Sequence, residues 1–112
     1  MKSVETYQAT IYLGLTEGYG KVTHTSCEVK ALCQEYCNRV GLCITLTELD
    51  FIYKGGCEFG AAIGFINYPR FPSTPEDIKA NALALAKELK QKMGQIRVSV
   101  VCSDETIMLG EK

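Results

Sequence analysis

The sequence predicts a ferredoxin-like α+β sandwich (βαββαβ), with two helices on one face of an antiparallel sheet and a short extra C-terminal strand. Three observations carry this prediction: a hairpin signal over residues 42–68, a helical pattern on each side of it, and alternating strand patterns beyond the helices at 8–15 and 96–102. Two right-handed βαβ crossovers then place both helices on the same sheet face. Residues 106–109 form the extra strand.

The central hairpin has two β-rich arms separated by the turn 54–56, which contains a Gly-Gly pair. Glycine supplies the positive φ that a tight hairpin turn requires. In the first arm the apolar positions change parity, because Leu46 belongs to one face of the strand and Leu49 to the other. A β-bulge near Thr47 would reconcile the two parities, and so would an arm that leaves the sheet and uses both faces.

Both helices are predicted from their caps and from one apolar stripe each. Thr25 and Glu28 have the spacing of a capping box, and Gly41 is suited to end the first helix. Thr74 caps the second helix, whose first position suits Pro75. The apolar stripes at helical spacing are Val29, Leu32, Cys33, Tyr36, Cys37 and Val40, then Ile78, Ala82, Leu85, Ala86, Leu89 and Met93.

Length and charge exclude several classes of protein. The 112 residues are expected to form a single α+β domain, residues 1–112, because they suffice for one hydrophobic core only. The net charge of −1 lacks the basic excess of a nucleic-acid-binding surface, so nucleic acid is not an expected partner. No signal peptide begins the chain, and no apolar run reaches the roughly 20 residues that span a membrane. We therefore expect a cytoplasmic protein with no membrane partner.

Six cysteines are many for such a compartment. Without an export signal, free thiols are favoured over a disulfide framework. Cys33 and Cys37 lie four residues apart on a helix, and with Cys27 and His24 upstream they make a zinc site conceivable. However, no CxxC pair occurs, and both helical cysteines belong to the apolar stripe, where a thiol packs as a small apolar group. The sequence predicts no metal and no cofactor.

The loop after the first strand contains the candidate catalytic residues, His24 and Glu17. A histidine beside a carboxylate can act as a general acid–base pair, although a loop histidine next to an N-cap is more often solvated or part of the cap. Two glycines in this loop suggest a phosphate-binding turn, but the third glycine of the dinucleotide motif is missing. Tyr19 and Lys21 are candidate ligand-binding residues in the same loop.

A second candidate site is the proline-bounded loop that contains Tyr68, Arg70 and Phe71. Arginine and aromatic residues on a stiffened loop are typical of interface hot spots, so these three residues are candidates for ligand or partner binding. The alternative is that Tyr68 and Phe71 pack over the end of the core while Arg70 is solvated. Composition does not choose between these two interpretations.

The sheet face away from the helices is the candidate surface for self-association. Tyr12, Ala62, Ile66 and Val101 fall on this face, and small residues in the third strand suggest close approach by another group. The face is more apolar than is usual for a solvent-exposed surface, and the simplest way to bury it is contact with a second subunit. We therefore expect a homo-oligomer.

Two segments carry a resemblance to known proteins. Residues 10–15 have the sequence Thr-Ile-Tyr-Leu-Gly-Leu, and residues 67–76 have the sequence Asn-Tyr-Pro-Arg-Phe-Pro-Ser-Thr-Pro-Glu. Both resemble small uncharacterised proteins encoded by tailed bacteriophages. The resemblance implies a protein that acts inside an infected bacterium, and it brings no function and no site residues.

The preferred functional prediction is a non-enzymatic binding or regulatory module that acts on a host protein or a small ligand. One alternative is a small enzyme that uses His24 and Glu17 on a small substrate. Another is a protein that sequesters a nucleotide with the glycine-containing loop and the neighbouring Lys21 and Lys54. Ferredoxin-like sandwiches host many functions, so the fold class does not decide among these.

Overall fold

The computed structural model describes residues 1–17 and 22–110 of the chain. Its elements are β1 (Gln8–Gly14), α1 (Ser26–Val40), β2 (Thr45–Tyr53), β3 (Gly56–Ile66), α2 (Pro75–Lys92), β4 (Arg97–Cys102) and β5 (Thr106–Gly110). They form one five-stranded sheet in the order β2-β3-β1-β4-β5, and every neighbouring pair is antiparallel. The predicted α+β sandwich and its extra terminal strand are confirmed.

The core lies between the sheet and the two helices. Ile11 and Leu13 of β1, the central strand, are fully buried, and Leu85 and Leu89 of α2 are almost completely so. The apolar stripe of α2 is buried, as its spacing predicts. The apolar stripe of α1 is buried only in part, since Val40, its last predicted member, is 44% exposed. Burial of these apolar side chains is the main stabilising contribution to folding.

The hairpin pairs in an unbroken register from Thr45 opposite Gly64 to Tyr53 opposite Gly56. No bulge interrupts β2, and the arm does not leave the sheet, so neither alternative holds as stated: the apolar residues lie on both faces of a continuously paired strand. The reason is that the hairpin projects past the helices: Phe59 is 68% exposed near its end.

The glycines of β3 accommodate side chains of β2. A Cβ on Gly60 would overlap the ring of Phe51, and a Cβ on Gly64 would overlap the Thr45 hydroxyl. The close approach expected on this face therefore comes from the adjacent strand of the same chain. In the turn itself only Gly55 has a positive φ, of +86°.

Candidate active site

His24 lies directly before α1 and bridges two carboxylates. Its Nε2 is 2.7 Å from Glu17 Oε2, and its Nδ1 is 3.2 Å from Glu28 Oε1. The second oxygen of Glu28 accepts a bond from the Thr25 amide at 2.6 Å, which closes the predicted capping box. The His24 amide in turn donates to the Leu15 carbonyl at 2.7 Å. The helix cap therefore holds His24 beside Glu17, its predicted neighbour.

The two carboxylates favour the protonated form of His24. Hydrogen bonds to Glu28, and then to Glu17, raise the pKa of His24 above its ordinary value. Bonds from the Thr25 amide, and then from His24, lower the pKa of Glu28. In the protonated form both ring nitrogens of His24 donate, one to each carboxylate.

A cavity of about 510 Å³, the first cavity, opens between the start of α1 and the projecting hairpin. Leu15 and Phe59 supply apolar surface, whereas Glu48 and Asp50 supply carboxylates. No Lys or Arg lines it among the described residues, and His24, which also lines it, is tied to two further carboxylates. A concave, partly apolar site with a few polar groups is typical of small-molecule binding. The charge here favours a cationic ligand.

Glu48 connects the first cavity to a second cavity of about 630 Å³, which runs between α1 and the start of β2. Ser26 Oγ donates to Glu48 Oε1 at 2.5 Å, and these two residues line both cavities. Lys30 lines the second cavity only. These three residues are absent from the sequence-based predictions. No sequence signal identified them: Glu48 faces the helix side because it pairs with the buried Ala61, and this register is known only from the structure.

Four of the six cysteines line the second cavity, and all six are free thiols. Burial raises the pKa of Cys33 to about 11, and burial also raises the pKa of Cys37. Both therefore stay protonated and are weak nucleophiles. No group of three or more His, Cys, Asp or Glu side chains within residues 1–17 and 22–110 is placed to hold a metal ion. The absence of a metal stays a prediction.

The loop with Tyr68, Arg70 and Phe71 lies at the opposite end of the sheet from the first cavity, since it follows the end of β3 that pairs with the start of β1. Asn67 stiffens it, because its side-chain oxygen accepts a bond from the Ser73 amide at 2.9 Å. Tyr68 is half-buried, as the packing alternative requires, whereas Phe71 is 67% exposed beneath the Arg70 guanidinium. Partner binding at Arg70 and Phe71 stays a prediction.

The other predicted residues divide into two groups. Tyr19 and Lys21 belong to residues 18–21, which lie outside the described residues. On the sheet face away from the helices, Tyr12, Ile66 and Val101 are each about 40% exposed, and Ala62 is half-buried. Self-association through this face stays a prediction.

Two solved structures share this fold. A phage SAM lyase in complex with S-methyl-5'-thioadenosine has a TM-score of 0.83 and 20% sequence identity, over 99% of this chain and 94% of that chain. A phage SAM lyase in the apo state has a TM-score of 0.74 and 20% identity, over 95% and 90% of the two chains. No protein-family model and no curated protein matches the sequence. No helix in the described part of the chain is long and apolar enough to cross a membrane.

The comparison corrects the functional prediction. Both solved structures are of an enzyme that acts on a small molecule, so the preferred prediction of a non-enzymatic binding or regulatory module is wrong. The alternative of a small enzyme is favoured instead. Both structures are also of phage proteins, in agreement with the resemblance in residues 10–15 and 67–76. The chain thus has the fold of a phage SAM lyase.

Proposed function

We propose that this protein is an enzyme that cleaves S-adenosylmethionine (SAM) and releases S-methyl-5'-thioadenosine. The observation that carries the proposal is the first cavity, which combines apolar surface with the carboxylates of Glu48 and Asp50 and has no Lys or Arg among its described lining residues. SAM combines an aromatic base with a sulfonium cation and therefore suits such a site. The likeness to phage SAM lyase over 99% of this chain supports the same substrate.

The product defines the bond that breaks. To leave S-methyl-5'-thioadenosine, the bond between the sulfonium sulfur and Cγ of the methionine chain must break, and its electron pair stays on sulfur. The sulfur thereby becomes a neutral thioether. The four-carbon fragment then either loses a proton from Cβ to form an alkene or closes a lactone through its own carboxylate oxygen. Both routes balance without an oxidant or a reductant.

The roles of the residues follow from the geometry. Phe59 offers an aromatic face to the adenine base, and Leu15 adds apolar surface. Glu48 and Asp50 attract the sulfonium. His24, hydrogen-bonded to Glu17 and Glu28, lies at the cavity wall directly before the N-cap of α1. The catalytic role of the predicted His24–Glu17 acid–base pair stays a prediction.

The test is incubation of the purified protein with SAM, followed by liquid chromatography and mass spectrometry of the products. We expect S-methyl-5'-thioadenosine and one four-carbon product; the alkene and the lactone are isomers of equal mass, so chromatographic retention and fragmentation distinguish them. A protein preparation that binds SAM but releases no S-methyl-5'-thioadenosine would contradict the proposal. Glu35→Gln, a change at an exposed residue of α1 that lines neither cavity, should retain the activity of the wild type.

The setting of the activity and the assembly state are parts of the same proposal. The resemblance to phage proteins and the phage origin of both solved structures support a chain encoded by a phage and active in the bacterial cytoplasm. Self-association through the face formed by Tyr12, Ala62, Ile66 and Val101 is supported by the exposure of its three larger side chains.

A further inference from the structure

We propose that the turn after α2, residues 93–95, positions the His24–Glu17 pair of the candidate active site. In this assignment Gly94 leaves the space that the Glu17 side chain occupies, and Gln95 holds the backbone from which Glu17 projects. Neither Gly94 nor Gln95 lines the cavities described above, so both are positioning residues that act through Glu17. The effect on the reaction rests on the proposed function, whereas the effect on the pair does not.

Gly94 is the residue that lets Glu17 approach. It follows the C-cap of α2 and has a φ of +60°. A Cβ on Gly94 would lie 2.7 Å from both Cγ and Cδ of Glu17 and 2.9 Å from its Oε1. Non-bonded carbon atoms pack at about 3.5–4.0 Å, so the Glu17 side chain occupies the space that any larger residue would fill. The other carboxylate oxygen of Glu17, Oε2, is the atom that lies 2.7 Å from His24 Nε2.

Gln95 holds the residue directly before Glu17. Its side-chain Nε2 donates to the Thr16 carbonyl at 2.8 Å and to the Met93 carbonyl at 3.0 Å. One amide group thus joins the chain just after β1 to the chain just after α2. The Gln95 backbone amide donates to the Lys90 carbonyl at 2.9 Å, so the side chain projects from a hydrogen-bonded turn. The backbone on the amino-terminal side of Glu17 is therefore tied to the 93–95 turn.

The other electrostatic surroundings of His24 come from elements that the 93–95 turn does not touch through these contacts. Its Nδ1 faces Glu28, in the first turn of α1, at 3.2 Å. The remaining titratable groups among the described lining residues of the first cavity are Glu48 and Asp50, both on β2. A change in the turn should therefore alter the contact of His24 with Glu17 and leave the other three carboxylates in place.

NMR titration of His24 tests the assignment, because His24 is the only histidine of the chain and its ring signals are unambiguous. Glu17→Gln removes the charge of the partner, and we expect it to lower the pKa of His24. Gly94→Ala should lower the pKa of His24 by at least half as much, since the added methyl group displaces the Glu17 carboxylate. Gln95→Met, which removes the donor at nearly equal size, should change the pKa in the same direction and provides a second variant if Gly94→Ala does not fold.

Gly41→Ala is the matched control for backbone strain. Gly41 ends α1 with a φ of +82°, and a Cβ at this position meets no atom within 4 Å. Alanine is strained in the left-handed region at either glycine, so both variants should have a lower melting temperature than the wild type. Only Gly94→Ala should also lower the pKa of His24. The double variant Glu17→Gln/Gly94→Ala should titrate like Glu17→Gln alone, because residue 94 acts through the Glu17 carboxylate.

The rate of SAM cleavage provides the functional measurement. We expect kcat/KM for SAM to fall about tenfold in Glu17→Gln and in Gly94→Ala, with no further loss in the double variant. The assignment is wrong if Gly94→Ala and Gln95→Met leave the pKa of His24 unchanged, or if the effects of Glu17→Gln and Gly94→Ala on that pKa add. Unchanged kcat/KM in these variants would overturn the role of the turn in the reaction. A wild type that does not cleave SAM would refute the proposed function alone, and the titration would still decide whether the turn positions the pair.

Discussion

Replacement of Phe59 by alanine provides a direct test of the first cavity, because the chain contains a matched control. Phe59 is 68% exposed at the cavity, and Phe71 is 67% exposed at the opposite end of the sheet. Neither side chain contributes to the buried core, so truncation of either should change stability little. If adenine stacks on Phe59, only Phe59→Ala removes a contact with the substrate.

The expected magnitude follows from the stacking contact. Base–aromatic stacking contributes roughly 1–3 kcal/mol per base, which corresponds to a rise in KM for SAM of roughly 5-fold to 150-fold. The assay is the initial rate of S-methyl-5'-thioadenosine release over a range of SAM concentrations, with thermal denaturation as the check on folding. Phe71→Ala should have the kinetics of the wild type. Equal KM values for the two variants would refute the placement of the base on Phe59.

Three further predictions concern pH, the hairpin and assembly. His24 has a folded pKa above the ordinary 6.5, so its stabilising contribution is complete below about pH 6.5 and is lost as pH rises through the folded pKa. His24→Ala should therefore lower the melting temperature more at pH 6 than at pH 9, and an equal loss at both pH values would contradict the ion-pair network. Gly55→Val should destabilise the protein by about 1–3 kcal/mol in denaturant titrations, because a β-branched residue resists a φ of +86°. Ala62→Asp should shift the protein toward a monomer in sedimentation analysis, and a wild type that is already monomeric at all practical concentrations would end the self-association prediction.

Local signals in the sequence determined most of the secondary structure. The capping box of Thr25 and Glu28 and the positive φ of Gly55 each depend on neighbours within a few residues, and the structure has both. The apolar stripe of α2 has the same local character, since its period alone places those side chains on one face. Topology then followed from the handedness of the crossovers, which is a general property of L-amino-acid chains.

The tertiary structure alone decided where the chemistry can occur. Ser26 and Glu48 are 22 positions apart in the chain, and they meet only because α1 packs beside an unbroken β2–β3 register that turns Glu48 toward the helix side. A carboxylate in a strand or a lysine on a helix is individually unremarkable in sequence, so neither Glu48 nor Lys30 could be distinguished from a solvated side chain. His24 differs from these two residues, because a histidine close to a carboxylate in the sequence suggests acid–base chemistry. Its bonds to the carboxylates of Glu17 and Glu28, which raise its pKa, exist only in the folded chain, where these side chains share one site.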